Sequence, residues 1–213
     1  MKKRYIFDLD GTLLLSDYKL EKEYFENVYG EKANIFNSSI SEYLDEYERT
    51  YSNYDIEMLS RYLTLKSGVE VNSDVINGWI DVVGCEKPIL VPGVIQVLEY
   101  LKGRGYSLAV LTNWFGKTQK NRLKRAGLID YFDDIYTGEA VLKPRKAAYM
   151  SAKDRFMPSE CVFIGDNLDK DYIGPRACGM DSIIYDSDNN HHKTLVKIRN
   201  MEELIENDIN NKY

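Results

Sequence analysis

Short unbroken apolar runs alternate with longer segments of helical spacing along this chain. Tyr5-Ile6-Phe7 is one such run, and it stops at Asp8-Leu9-Asp10-Gly11, where the glycine permits a sharp turn. Residues 107–111 form a second run that leads into Thr112-Asn113, and residues 135–137 form a short third. Residues 161–164 form a fourth, ending in Gly165-Asp166-Asn167, and residues 182–185 a fifth. Runs without polar alternation predict strands covered on both faces, as in a parallel sheet. Between them, Val94, Val97, Leu98 and Leu101 repeat at helical spacing until Gly103 and Gly105. A basic helix is predicted over 117–126, stopped by Gly127, and another over 145–156, entered through Pro144. A last amphipathic helix starts near Met201, with a polar tail, 210–213, expected to fray. Strand and helix in alternation predict an α/β fold, a Rossmann-like doubly wound parallel sheet.

One stretch breaks the alternation. Residues 15–91 contain no convincing strand, whereas Tyr43, Tyr47, Tyr51 and Tyr54 recur at helical spacing, as do Leu59, Tyr62, Leu63 and Lys66. This predicts a helical insertion, with 1–14 and 92–213 forming the α/β core. The tyrosine stripe is read as the insertion's packing face rather than a ligand box. Pro88 and Pro92-Gly93 mark the return to the core. The connections at 14–17 and 88–93 are the expected hinges of any motion between the two parts.

A net charge of -6 argues against nucleic-acid binding, which needs a basic face. No apolar run approaches the roughly 20 residues of a membrane span. The basic start, Met1 to Arg4, is followed too soon by Asp8 and Asp10 for an export signal, so a cytoplasmic location is expected. Cys85, Cys161 and Cys178 fit buried thiols better than a disulfide framework. His191 and His192 sit in a polar stretch that reads as a solvated loop, with no nearby cysteine to complete a metal site. Oligomeric state is not legible.

Four pieces carry chemistry, each at or beyond a predicted strand's C-terminal end, where open α/β sheets bind ligands. In Asp8-Leu9-Asp10-Gly11-Thr12, two carboxylates two residues apart can converge, one to attack a phosphorus atom and one to handle protons. Thr112-Asn113 offers a hydroxyl and a backbone N–H for a phosphoryl oxygen, though a plain turn has the same sequence. Lys143-Pro144 offers a cation at a loop-to-helix junction. Gly165-Asp166-Asn167-Leu168-Asp169-Lys170-Asp171 carries three acids in a short span, which suits a hard cation such as Mg²⁺ and also suits an Asx-capped helix start.

In this order and at these places, the four pieces resemble the haloacid dehalogenase-like superfamily along essentially the whole chain. The insertion looks like the helical cap of its phosphoglycolate phosphatase and β-phosphoglucomutase branch. The resemblance implies a Mg²⁺-dependent phosphatase of a small-molecule phosphate ester. Asp8 would be the nucleophile and a metal ligand; Asp10 would be the general acid, then base, with its carbonyl on the metal. Thr112, Asn113 and Lys143 would hold the phosphoryl group, Asp166 would bind Mg²⁺, and Asp171 would support Lys143 or a metal-bound water. A dehalogenase needs neither Asp10 nor Asp166, which argues against that activity. A phosphomutase shares the motifs. A phosphonatase would need a cap lysine, for which Lys19, Lys22 and Lys32 are available. A non-catalytic regulatory member of the fold is the remaining alternative. Departures from the family pattern are the extra apolar residue in Leu13-Leu14-Leu15 before Ser16-Asp17, the bulky Arg145 after Lys143-Pro144, and Pro175 early in the helix after the acidic cluster.

Overall fold

The computed structural model describes residues 3–210, so Met1, Lys2 and the tail residues 211–213 lie outside the described residues. In chain order the elements are β1 (Arg4–Phe7), β2 (Leu14–Leu15), α1 (Lys19–Tyr29), α2 (Ala33–Thr50), α3 (Ile56–Ser67), α4 (Ser73–Gly84) and β3 (Ile89–Leu90). Then come α5 (Val94–Gly103), β4 (Ser107–Leu111), α6 (Gly116–Arg125), β5 (Asp134–Tyr136), α7 (Lys146–Ala152) and β6 (Cys161–Gly165). A π-helical turn (Leu168–Ile173) leads into α8 (Gly174–Ala177), followed by β7 (Asp181–Tyr185), β8 (Lys197–Ile198) and α9 (Glu203–Ile209).

Six strands form one sheet in the order β5-β4-β1-β6-β7-β8, every neighbouring pair parallel. The chain starts in the middle with β1, winds outward through β4 and β5, then returns to the other side through β6, β7 and β8. The order therefore reverses at β1, whose C-terminal end is the expected ligand edge. Both faces are covered. Tyr5 and Phe7 pack with Leu98, Leu101 and Leu204 on one side, while Ile6 packs with Ala148 and Tyr149 on the other. Successive side chains of a strand point to opposite faces, which is why these runs are apolar without interruption.

The inserted helices α1–α4 build their own core around Phe25, Phe36, Leu59 and Trp79. Leu14 and Leu15 pair antiparallel with Leu90 and Ile89, so the two connections run side by side as a small ribbon. The cap core also takes in Phe115 and Leu142 from the α/β part. Tyr54 N–H bonds to Gly138 O and Leu142 N–H to Ser52 O, each at 2.8 Å, so the turn after α2 is seated on the sheet domain.

Several elements differ from expectation. Helix α2 ends at Thr50, so Tyr51 and Tyr54 lie beyond it; Tyr47 nevertheless stacks on both rings, at 4.5 and 5.2 Å, because the chain folds back. Helix α7 stops at Ala152, four residues short, where a turn through Asp154 in the left-handed region begins. Pro175 follows a π-helical turn, so the helix is irregular just ahead of the proline. Strand β8 was not foreseen, being only two residues long. None of the three cysteines forms a disulfide among the described residues; Cys161 is buried, but Cys85 is exposed, against expectation. Among the described residues, no helix is long and apolar enough to cross a membrane.

Candidate active site

Parallel pairing of β1 with β6 aligns Phe7 with Ile164, so Asp8 and Gly165-Asp166 leave adjacent strands side by side. Gly11, at φ 77°, turns the chain back, and an added Cβ there would collide with Asp166 Oδ2. A side chain larger than hydrogen would displace that carboxylate. The first strand end and the acidic loop are thus fitted to one another.

Lys143 is buried among the acids. Its Nζ lies 2.7 Å from Asp8 Oδ1 and 2.7 Å from Asp171 Oδ1. Asn167 N–H donates to Asp171 Oδ2 at 3.1 Å, so both Asp171 oxygens have partners. Asn167 also caps the turn that carries Asp171, accepting from the amides of Asp169 and Lys170. Ligand atoms of Asp8, Asp166 and Asp171 lie within 4.8 Å of one another. This all-oxygen set fits a hard divalent cation. Because Asp171 is committed to Lys143 and Asn167, Asp8 and Asp166 are the better candidates for direct ligands.

The electrostatics follow from three acids facing one lysine. Burial raises the Asp8 carboxyl well above its ordinary range; Asp171 and Asp166 raise it further and Lys143 opposes them. Asp166 is pushed up to about 6, first by loss of surrounding water and then by Asp171. Burial works against the Lys143 ammonium, but Asp171 and Asp8 outweigh it and raise its pKa. The cluster therefore holds more negative charge than it can balance, a condition that a cation relieves.

Asp10 stands slightly apart. Arg122 Nη1 donates to its Oδ1 at 2.5 Å and Gln119 Nε2 to its Oδ2 at 2.8 Å, while Arg122 Nη2 reaches Ser16 Oγ at 2.6 Å. Thr112 is buried at the end of β4. Its hydroxyl donates to Asn113 O at 3.0 Å and accepts from Gln119 Nε2 at 3.0 Å, so it would have to turn to meet a phosphoryl oxygen. Asn113 is expected to offer its backbone N–H to phosphate; its side chain serves elsewhere, Oδ1 accepting from Lys143 N–H at 2.9 Å and Nδ2 donating to Glu48 Oε2 at 2.8 Å. Arg145 neither faces the cavity nor floats in solvent; its Nη1 donates to Glu48 O at 2.8 Å.

A cavity of about 640 Å³ opens over these groups, bounded below by Asp8, Asp10, Lys143 and Asp166 and above by cap residues such as Asn37, Leu44 and Trp79. That size admits a small metabolite. Lys22 lines the cavity, whereas Lys19 pairs with Glu23 on the outer helix surface. Sequence reasoning missed Glu48, Gln119, Arg122 and Lys170. For Gln119 and Arg122 a signal existed: with Leu123 they share the buried face of α6, where polar residues are out of place unless they serve a site.

A family model described as haloacid dehalogenase-like hydrolase matches residues 2–179. A ribulose-1,5-bisphosphate 5-phosphatase of Halopiger xanaduensis is 33% identical over 105 residues, 47% of this chain and 44% of that one. The chain thus spans less than half the length of that relative. A glyceraldehyde 3-phosphate phosphatase of Methanopyrus kandleri is 27% identical over 197 residues, covering 86% of this chain and 83% of that one. Among solved structures, a Bacillus subtilis protein named as a HAD hydrolase and bound to magnesium superposes with a TM-score of 0.72 at 21% identity, covering 96% and 97% of the two chains. An L-2-haloacid dehalogenase of Xanthobacter autotrophicus superposes with a TM-score of 0.74 at 17% identity, covering 98% and 99%. These two structural likenesses concern the fold.

Proposed function

The chain belongs to the haloacid dehalogenase-like hydrolase family, and we propose that within it the protein is a magnesium-dependent phosphatase of a small phosphorylated metabolite, acting through an aspartyl phosphate on Asp8. One observation carries the reading: Asp8, Asp166 and Asp171 converge around Lys143 beneath a cavity that Asp10 also lines. Relatives named as phosphatases of small phosphorylated substrates support the substrate class. A dehalogenase has no use for Asp10 or Asp166 in these places.

In this mechanism an Asp8 carboxylate oxygen attacks phosphorus, forming the acyl phosphate as the bond to the leaving oxygen breaks. Asp10 gives its proton to that oxygen, then accepts one from the water that attacks the acyl phosphate. Phosphate leaves and the Asp8 carboxylate is regenerated. Gln119 and Arg122 orient Asp10 for both transfers. Lys143 carries positive charge toward the transferring group. Asp8 and Asp166, with the carbonyl of Asp10, would hold Mg²⁺, which when bound supplies positive charge that offsets repulsion between a carboxylate and a phosphate dianion.

The test uses p-nitrophenyl phosphate. Phosphate release should require Mg²⁺ and stop in excess chelator; full activity in chelator would contradict the metal requirement. Nitrophenolate needs little acid help, so Asp10→Asn should release about one equivalent per site in a burst and then turn over slowly. Equal loss on alkyl and nitrophenyl esters, with no burst, would remove Asp10 from its role. A screen of metabolite phosphates would then name the substrate. A phosphonate-cleaving variant of the reaction has one observation behind it, Lys22 in the cavity wall. Borohydride trapping of an imine on Lys22 would select it.

A further inference from the structure

The geometry points to Glu48 as a positioning residue that couples the seating of the helical cap to the placement of Lys143. Glu48 lies in the last turn of α2, in the cap, and is 8% exposed. A carboxylate this deep needs partners. It has three: Tyr54 Oη donates to Oε1 at 2.8 Å, and Asn113 Nδ2 and Lys170 Nζ donate to Oε2 at 2.8 and 2.6 Å. Two of these donors belong to the α/β domain, and each sits beside the reacting cluster.

Asn113 is the transmitting group. Its Oδ1 accepts from Lys143 N–H at 2.9 Å, and its Nδ2 also donates to Lys143 O at 3.2 Å. The side chain therefore grips the Lys143 main chain from both sides. Lys143 Nζ in turn bridges Asp8 and Asp171. Two residues, Asn113 and Lys143, thus link a cap carboxylate to the nucleophile. Lys170 forms a second link, because it lies on the π-helical turn that carries Asp171. Arg145, two residues past Lys143, donates to Glu48 O at 2.8 Å and to Arg49 O at 3.3 Å, at the carbonyl end of α2. A cation there suits the negative end of the helix.

With the cap displaced, Asn113 would lose the acceptor that fixes its Nδ2, and Lys170 would lose its strongest counter-charge. Lys143 would then be free to shift. A misplacement of about 1 Å at a reacting centre can cost about 10²-fold in rate. Closure over substrate and alignment of the lysine thus become one event.

This inference rests on the phosphatase reading for its kinetic consequence but not for its structural one, and the experiment separates the two. Lysine-selective ¹⁵N labelling reports the Lys143 amide in substrate-free protein. Glu48→Ala and Asn113→Ala should each shift that resonance, and the double variant should shift it no further than the larger single change. In turnover, Glu48→Ala should lower kcat by about 10²-fold with KM changed little, and Glu48→Gln, which preserves shape, should recover most of it. If the alanine variant does not fold, Glu48→Asp serves in its place, since it keeps the buried charge but draws the carboxylate back from Asn113 and Lys170. An unmoved Lys143 amide in Glu48→Ala or in its aspartate substitute, or a loss confined to KM, would overturn the coupling. An inactive wild type with the amide shift intact would count against the phosphatase reading alone.

Discussion

Asp166 and Asp186 hold equivalent places, each the first residue past the end of neighbouring parallel strands, β6 and β7. Their surroundings drive them in opposite directions. Asp166 is pushed up to about 6, by loss of water and by Asp171. Asp186 is held down at about 2: burial opposes this, but Lys197 and the amides of His191 and Asn190 prevail. Asp186 is satisfied. Its Oδ1 accepts from Asn190 N–H at 2.7 Å, and its Oδ2 from His191 N–H at 3.0 Å and Lys197 Nζ at 2.8 Å. Asp166 instead faces two further carboxylates. One strand end closes a loop, and its neighbour keeps its carboxylate among like charges. Residue type and position relative to the strand do not separate the two roles; the local count of donors does.

The largest expected effect of breaking this contrast is at Asp166. Asp166→Ala should reduce turnover by about 10²-fold or more, as when a charge-stabilising group is removed from a reacting centre. Metal-free stability should hold or rise, because a like charge leaves the cluster. Urea unfolding in chelator, paired with Mg²⁺ titration of activity, checks both; a marked fall in stability would make Asp166 a structural residue. Asp186→Asn should do the reverse. Turnover should stay within about twofold, while stability falls by about 1–2 kcal/mol for the lost charge-assisted bonds. A large kcat effect without a stability change would place Asp186 in the chemistry.

Much of this was legible in the sequence. Apolar runs marked β1, β4, β6 and β7 because strands buried on both faces need no polar alternation. The acidic and basic residues that follow those runs come together because a parallel sheet brings successive strand ends to one edge. Other parts were hidden for physical reasons. Glu48 reads as one more charged position on an exposed helix, and only the seating of the cap buries it. Tyr51 and Tyr54 continue a helical spacing past the point where the helix ends. Lys197 and Ile198 make a strand only through pairing with β7, which local pattern does not encode. The difference between Asp166 and Asp186 was equally invisible, since it depends on Lys197, His191 and Asn190 closing a loop over one of them.

The smallest effect is the most discriminating, because the two aspartates contribute to stability with opposite signs. Stability rises with pH wherever the unfolded chain binds more protons than the folded one. For Asp186, with a folded value near 2 against an ordinary 3.8, that condition holds between about pH 2 and 4. Its contribution is present above pH 4 and is lost as pH falls through 2. For Asp166, near 6 against 3.8, the folded state binds more protons between about pH 4 and 6, so stability falls as pH rises through that window. Asp8, also raised, adds a slope of the same sign. Metal-free protein should therefore be most stable near pH 4 as far as these groups decide it. Asp166→Asn should flatten part of the decline above pH 4 and leave the rise below it. Asp186→Asn should do the opposite. Because Asp166 has a solvent-facing side, its slope should be shallower than the shift alone implies. Mg²⁺ should suppress the decline in the wild type, since a bound cation favours the ionised carboxylates. Urea midpoints from pH 2 to 7, with chelator and with Mg²⁺, measure all four curves. A decline above pH 4 that persists undiminished in Asp166→Asn would mean that the crowding of carboxylates at β6 is not what separates it from its neighbour at β7.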